Sequence, residues 1–399
     1  MYKKLTLLVI LVSFNVFSQT KSNLDIFNQG ILSVKKTNDT IPIKIWNDLV
    51  LIKMKIGNIE GDFLWDNGFS ISAIDTTYFN VSSIKKSTKT ESKVNDGINK
   101  KIKLSHIVIN HIKLGSTSID NLPVLMINTK NNLQTDKKIL GVVGQNIIKK
   151  LNWKFDFDNK IAITSKNVFQ EKGKVINFQL QENNMMFTEL SINGHIAGVH
   201  IDFGHNSDHL QLPFGAKELF KNSKKMISNG IAAFSLSGVS EESTLYQIKD
   251  FNYSINQQVF NHPIELSLNS TETDFARIGN RPFRHSNLLF NHTSNQLILL
   301  PRTTNINPIP KKSFGFRLAK INGKIIIAVK SSNPNIKKYP DLKIGQEIKS
   351  LNGKESNAFG GNDDIREYQI KLILKNKNLT LKTLTNKVIV LTPEVNLFE

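Results

Sequence analysis

Leu64-Trp65-Asp66-Asn67-Gly68-Phe69-Ser70 is the end of an apolar strand running into an aspartate. The pattern returns 136 residues later as His200-Ile201-Asp202-Phe203-Gly204-His205-Asn206. In each stretch a glycine two positions beyond the aspartate lets the chain turn sharply and brings the carboxyl close to another backbone segment. The same offset places Ile56 on Ile192, Gly68 on Gly204 and Ile74 on Leu210. Farther along, an offset of 135 places Gly144 on Gly279, Ile148 on Phe283 and Phe155 on Phe290. Between these landmarks lie Asn121-Leu122-Pro123-Val124 and Asn261-His262-Pro263-Ile264, each at a strand end. Three landmarks in one order read as an internal duplication. It comprises two lobes, residues 40–166 and 175–302, joined near Lys172-Gly173-Lys174.

The rest of the chain is consistent with an all-β fold. Alternating apolar runs occur at 51–56, 102–109 and 297–300, punctuated by Asp96-Gly97, Asn193-Gly194, Asn322-Gly323 and Asn352-Gly353. Period-two runs bounded by such pairs predict hairpins. Helix is expected only around 144–151, 217–228 and 363–370. A linker bearing Pro308 and Pro310 separates the duplication from a third unit, residues 311–395. The length of 399 residues accommodates such a division at ~100–200 residues per domain.

Composition narrows the function. The net charge is +19, yet only six of the 52 cations are arginines. Nucleic-acid readers favour the bidentate arginine fork, and these lysines are scattered, so no nucleic-acid partner is expected. Cysteine is absent, which excludes disulfides, thiolate metal sites and a cysteine nucleophile. Lys3-Lys4, an apolar run to about Phe17 and small residues Val16 and Ser18 read as a signal peptide, residues 1–18, cut before Gln19. That run falls short of the ~20 residues a span requires. The expectation is an exported chain, periplasmic or secreted, with no stable membrane span after cleavage. No G-x-S-x-G, phosphate loop or dinucleotide fingerprint occurs. His195, His200, His205 and His209 crowd the second aspartate, but their spacing follows the strand–turn frame, so no metal and no cofactor is expected.

Two pseudo-symmetric lobes would bring Asp66 and Asp202 together on their shared axis, where two carboxyls share one proton and titrate as a unit. On these residues the sequence resembles the pepsin-like and retropepsin-like aspartic proteases, and more closely bacterial exported proteins with two such lobes and a PDZ-like domain. In that family each lobe carries apolar-apolar-Asp-Thr/Ser-Gly and later an Ile/Leu-Leu/Ile-Gly segment. Here the later segments are Ile139-Leu140-Gly141 with Val142-Val143-Gly144, and Arg277-Ile278-Gly279.

The resemblance implies an aspartic-type endopeptidase with Asp66 and Asp202 catalytic and a peptide or protein substrate. Gly68 and Gly204 would border that substrate, with covering hairpins near Asp96-Gly97 and near Gly230–Gly238. Two departures bear on activity. Asn67 replaces one family hydroxyl with an amide that can still bond, whereas Phe203 replaces the other with a ring that cannot. The alternative is a catalytically degenerate peptide-binding protein on the same scaffold. The third unit resembles a PDZ domain through Phe314-Gly315-Phe316, Leu342–Ile348 and Leu351-Asn352-Gly353. That resemblance implies capture of C-terminal peptides at Phe314, Gly315 and Phe316; the other reading is a small β-domain that only docks on the lobes.

Overall fold

The computed structural model describes residues 28–85, 90–95, 101–129, 135, 137–207, 209–231, 234–235, 238–240, 242–248, 251–267, 275–304, 312–332 and 342–393. The expected signal peptide, the pair Asp96-Gly97 and most of the Pro308–Pro310 linker lie outside them.

The fold is mainly β, as the alternating runs predict. Asn193-Gly194, Asn322-Gly323 and Asn352-Gly353 all have positive φ at both positions and close two-residue hairpins. That backbone matches the right-handed twist of the flanking strands. Asn47-Asp48 and Asn256-Gln257 adopt the same turn without glycine.

The duplication appears as repeated strand register. Leu49–Ile56 pairs with Ile59–Trp65, matching Leu51 to Leu64 and Ile56 to Ile59. Met186–Ile192 pairs with His195–Ile201, matching Phe187 to His200 and Ile192 to His195, the same ladder moved by 136. A parallel strand then joins each: Gly141–Val143 beside Trp65, and Ala276–Ile278 beside Ile201.

The two halves meet through one antiparallel pair, Asn152–Asp156 with Ser286–Asn291. Trp153 faces Phe290, Lys154 faces Leu289 and Phe155 faces Leu288. At the offset of 135, Lys154 faces its own counterpart and its neighbours exchange partners, which is the signature of a two-fold axis through that pair. Flanking strands repeat the relation: Ala162 pairs with Ile41 and Leu297 with Ile176. One hydrophobic cluster runs through both halves, including Trp65, Trp153, Phe155, Phe203 and Phe290. Trp65 is its hub, 4.8 Å from Phe155 and 5.0 Å from Phe290 between ring centroids.

Two local expectations are corrected. The helix expected over 217–228 is a 3-10 helix, Phe214–Phe220, followed by the strand Lys225–Ile231. That strand pairs along its whole length with Glu242–Ile248, so the sheet supplies the backbone partners a helix would have provided. The register also sets Ile74 against Leu212 rather than Leu210. Ala73 pairs with Val142 and Leu125, and Gln211 with Arg277 and Glu265. The second turn therefore carries two more residues than the first.

The C-terminal unit has its own core around Phe314, Leu318, Ile325, Ile348, Ile365 and Leu379. Its helix, Asn362–Leu374, starts with Asp363 and Asp364, which suit the positive end of the helix dipole. The unit touches both halves. Strand Lys324–Ser331 pairs with Lys225–Ile231, and the Trp46 indole N–H donates to Asp363 Oδ2 at 2.6 Å.

Phe290 packs against Trp65, Phe155 and Phe203 at the axis. Phe290→Ala should lower the free energy of unfolding by about 3–5 kcal/mol, the usual cost of emptying a buried aromatic site. Equilibrium denaturation checks this; a loss below 1 kcal/mol would show that the halves are not held together by this cluster.

Candidate active site

Each Asp-x-Gly stretch forms the same turn. Asp66 N–H donates to Val143 O at 3.0 Å, and Asp202 N–H to Ile278 O at 2.9 Å. Gly68 N–H donates to Asp66 Oδ1 at 2.9 Å, and Gly204 N–H to Asp202 Oδ1 at 3.0 Å. The following segments close in parallel fashion: Gln145 N–H donates to Phe69 O, and Asn280 N–H to His205 O.

The two turns face each other, and the glycines show how closely. A Cβ on Gly68 would lie 2.3 Å from Asp202 Oδ1, and one on Gly204 would lie 2.1 Å from Asp66 Cγ. Each glycine thus makes room for the carboxyl of the other half. The two carboxyls therefore lie close together, each against the turn that carries the other. Burial first, and the Asp202 charge second, hold the Asp66 carboxyl well above the usual carboxylate range. Burial raises Asp202 as well, opposed first by Arg277.

Asn67 braces the turns from one side. Its amide oxygen accepts the Phe203 N–H at 2.7 Å, and its amide nitrogen donates to Ile201 O at 3.0 Å. One buried side chain thereby satisfies the backbone on both sides of Asp202. Phe203 cannot return these bonds; its ring instead packs 5.1 Å from Phe290 and 5.5 Å from Phe283. The two turns thus share a backbone path but are held by different interactions: an amide grip from the first half and an aromatic anchor from the second.

The surrounding supports differ as well. In the first half, Ser72 Oγ donates to Asn146 Oδ1 at 2.6 Å and accepts the Gly144 N–H, while the Gln145 amide donates to Asn67 O. In the second, Asn280 and Arg281 reach across to the hairpin turn of the first half. Asn280 Nδ2 donates to Asp48 O, and Arg281 Nε lies 2.6 Å from Asp48 Oδ2.

Sequence reasoning passed over Arg277. Its Nε lies 3.7 Å from Asp202 Oδ2, and both side chains are largely buried. Its signal was an arginine inside the apolar strand that precedes Gly279. Beside it, His200 is fully buried between Phe187 and Phe275. Burial first, then Arg277, hold His200 well below the ordinary histidine range and His205 down to about 3.

The hairpin from Thr90–Asn95 to Lys101–Leu114 exists, but Asp96 and Gly97 at its tip lie outside the described residues. Gly238 stands in the tip of the second hairpin, paired with Ser235. Phe314 and Phe316 are buried in the C-terminal core. Gly315 N–H donates to Ser313 Oγ at 3.1 Å. The free edge of strand Phe316–Ile321 faces the helix and is already bonded: Leu318 N–H donates to Gln369 Oε1, and Lys320 N–H to Asn362 Oδ1.

Residues 52–147 match the family model described as "Aspartyl protease". The matched segment includes Asp66 and ends just beyond Gly144. No curated protein matches the chain. The chain is accordingly similar to aspartic proteases over residues 52–147.

Asn67→Ala should orphan the Phe203 N–H and the Ile201 carbonyl, costing about 1–3 kcal/mol for each group. Asn67→Thr, with a hydroxyl that both accepts and donates, should recover part of the loss. Thermal unfolding of the two variants checks this; equal losses would mean that the amide acts only as filler.

Proposed function

We propose that the protein is an exported aspartic-type endopeptidase built from two pepsin-like lobes, residues 40–166 and 175–302. The observation that carries the reading is the pair of facing Asp-x-Gly turns. Each glycine leaves space for the opposite carboxyl, and burial with the Asp202 charge beside it holds the Asp66 carboxyl well above the usual carboxylate range. The similarity of residues 52–147 to aspartyl proteases supports it.

The chemistry requires a peptide and one water. The ionised carboxyl takes a proton from the water while its oxygen attacks the scissile carbonyl carbon. The protonated carboxyl hydrogen-bonds to the carbonyl oxygen and stabilises the charge that develops there. Collapse of the resulting gem-diol passes a proton to the amine nitrogen as the C–N bond breaks. The Asp66 carboxyl, raised by burial and by its partner, keeps its proton to higher pH than an ordinary carboxylate. The alkaline limb of activity should therefore lie above the usual carboxylate range, and protonation of the one ionised carboxylate should set the acid limb.

Asp66→Asn and Asp202→Asn should each lower kcat by about 10²–10⁴-fold or more, because either change removes the acid–base pair. Both variants should keep the wild-type circular dichroism, and a transition-state analogue bearing a hydroxyl between the aspartates should inhibit the wild type. Absence of any cleavage by the wild type between pH 3 and pH 8 across a broad peptide library would leave the second reading, a peptide-binding protein. Phe203 favours that reading, since the hydroxyl expected beside Asp202 is missing.

For the PDZ-like unit, residues 311–395, we propose docking on the lobes rather than peptide capture. Gly315 and the strand edge at Leu318 and Lys320 already have partners. Peptides ending in a free carboxylate and their amidated forms should bind it equally weakly or not at all in calorimetry. A clear preference for the free acid would restore carboxylate capture.

A further inference from the structure

The two halves share their ladders but not the character of the row beside each aspartate. In the first half, residues in direct cross-strand register run Leu64, Val142, Ala73, Leu125 and His106. In the second they run His200, Arg277, Gln211, Glu265 and Gln247. Leu64 and His200 each precede the aspartate by two, so each row lies on the face from which its aspartate side chain emerges. The first four members of the first row belong to one apolar cluster. Their counterparts are all polar, and His200 and Arg277 are buried nonetheless. An arginine in a buried position that its duplicate fills with valine is costly to desolvate, and stability alone gives no reason to keep it.

We propose that Arg277 is a positioning residue that fixes the anion of the dyad on Asp202 and therefore the shared proton on Asp66. This rests on the peptidase reading of the same site. Arg277 stands 3.7 Å from Asp202, whereas the equivalent place beside Asp66 holds Val142. The other groups around the pair do not cancel this bias. His200, on the adjoining strand, and His205, in the turn, are held neutral by burial and by Arg277 itself. Arg281, beyond the turn, is paired with Asp48. Glu265, farther along the row, accepts from Gln211 and Gln247, with His209 at 3.6 Å. In the working enzyme Asp202 is then the base that takes the proton from water, and Asp66 is the acid that holds the substrate carbonyl.

The test reads proton position and rate separately. In full-length wild-type protein carrying ¹³C-carboxyl aspartate, signals would be assigned with Asp66→Asn and Asp202→Asn. The carboxyl that ionises at lower pH should be Asp202; if it is Asp66, the proposal falls. In Arg277→Met the lower titration should rise by about 1–3 pH units, the usual influence of an adjacent arginine on a carboxylate. The acid limb of kcat/KM should rise with it, and Arg277→Lys should restore most of the shift. A rate that falls equally at every pH, with carboxyl titrations unmoved, would reduce Arg277 to a packing role and overturn the proposal. Should the wild type cleave nothing, the peptidase reading fails, while the titrations still decide where the anion sits.

Discussion

The structure depends on one antiparallel strand pair, Asn152–Asp156 against Ser286–Asn291, in which Lys154 faces its own duplicate Leu289. A contact of that kind is self-complementary, so any residue placed near the axis by one half meets its counterpart from the other. Trp65 and its neighbours pack there, and the residue that follows Trp65 is Asp66. The aspartates meet because the strands that end in them are anchored to that axis by the aromatic residues beside them. The glycines complete the approach by presenting no Cβ where the opposite carboxyl must lie.

Symmetry of backbone does not impose symmetry of chemistry. Two equal carboxyls in contact would share the proton without preference. The duplicated framework leaves side chains free to diverge: Asn67 against Phe203, Val142 against Arg277 and Leu64 against His200. The first exchange keeps the grip on the backbone around Asp202 while giving up its mirror image for aromatic packing. The others move polarity to one side of the dyad. These three exchanges occupy buried positions around the aspartates, and in a low dielectric the nearest charge, Arg277, dominates.

Much of this was legible in the sequence because duplication leaves a periodic trace. The offset of 136 came from strand–turn–strand spacing, and the ladder from Leu51 to Leu64 recurs residue for residue from Phe187 to His200. Asn-Gly pairs marked hairpins because few other dipeptides accept two positive φ angles. The misreadings have the same physical origin: local pattern does not report long-range pairing. Lys217–Ser228 carries helix-compatible residues, yet its second part is claimed by the strand Glu242–Ile248. Ile74 aligned with Leu210 by type, but the sheet pairs a longer loop differently. Arg277 was visible as an odd residue in an apolar strand, but its closeness to Asp202 depends on a parallel pairing between strands 75 residues apart.

The C-terminal unit shows the same limit from the other side. Phe314-Gly315-Phe316 carries the local chemistry of a carboxylate-binding loop, but the groove beside it is defined by what the helix Asn362–Leu374 presents to the strand. Gln369 and Asn362 present acceptors, and they take the N–H groups that an added peptide strand would need. An edge satisfied in this way gains little from augmentation, since a new ladder bond must first break an existing one. Beyond its pairing with Glu347–Leu351, the end of Lys324–Ser331 pairs with Lys225–Ile231 of the second half, and Asp363 holds Trp46 of the first. The unit is thus tied to both halves, by a short strand pair to the second and by a side-chain hydrogen bond to the first. Because those contacts fall on different halves, relative motion of the halves must strain or break one of them, and the unit's packing resists that motion.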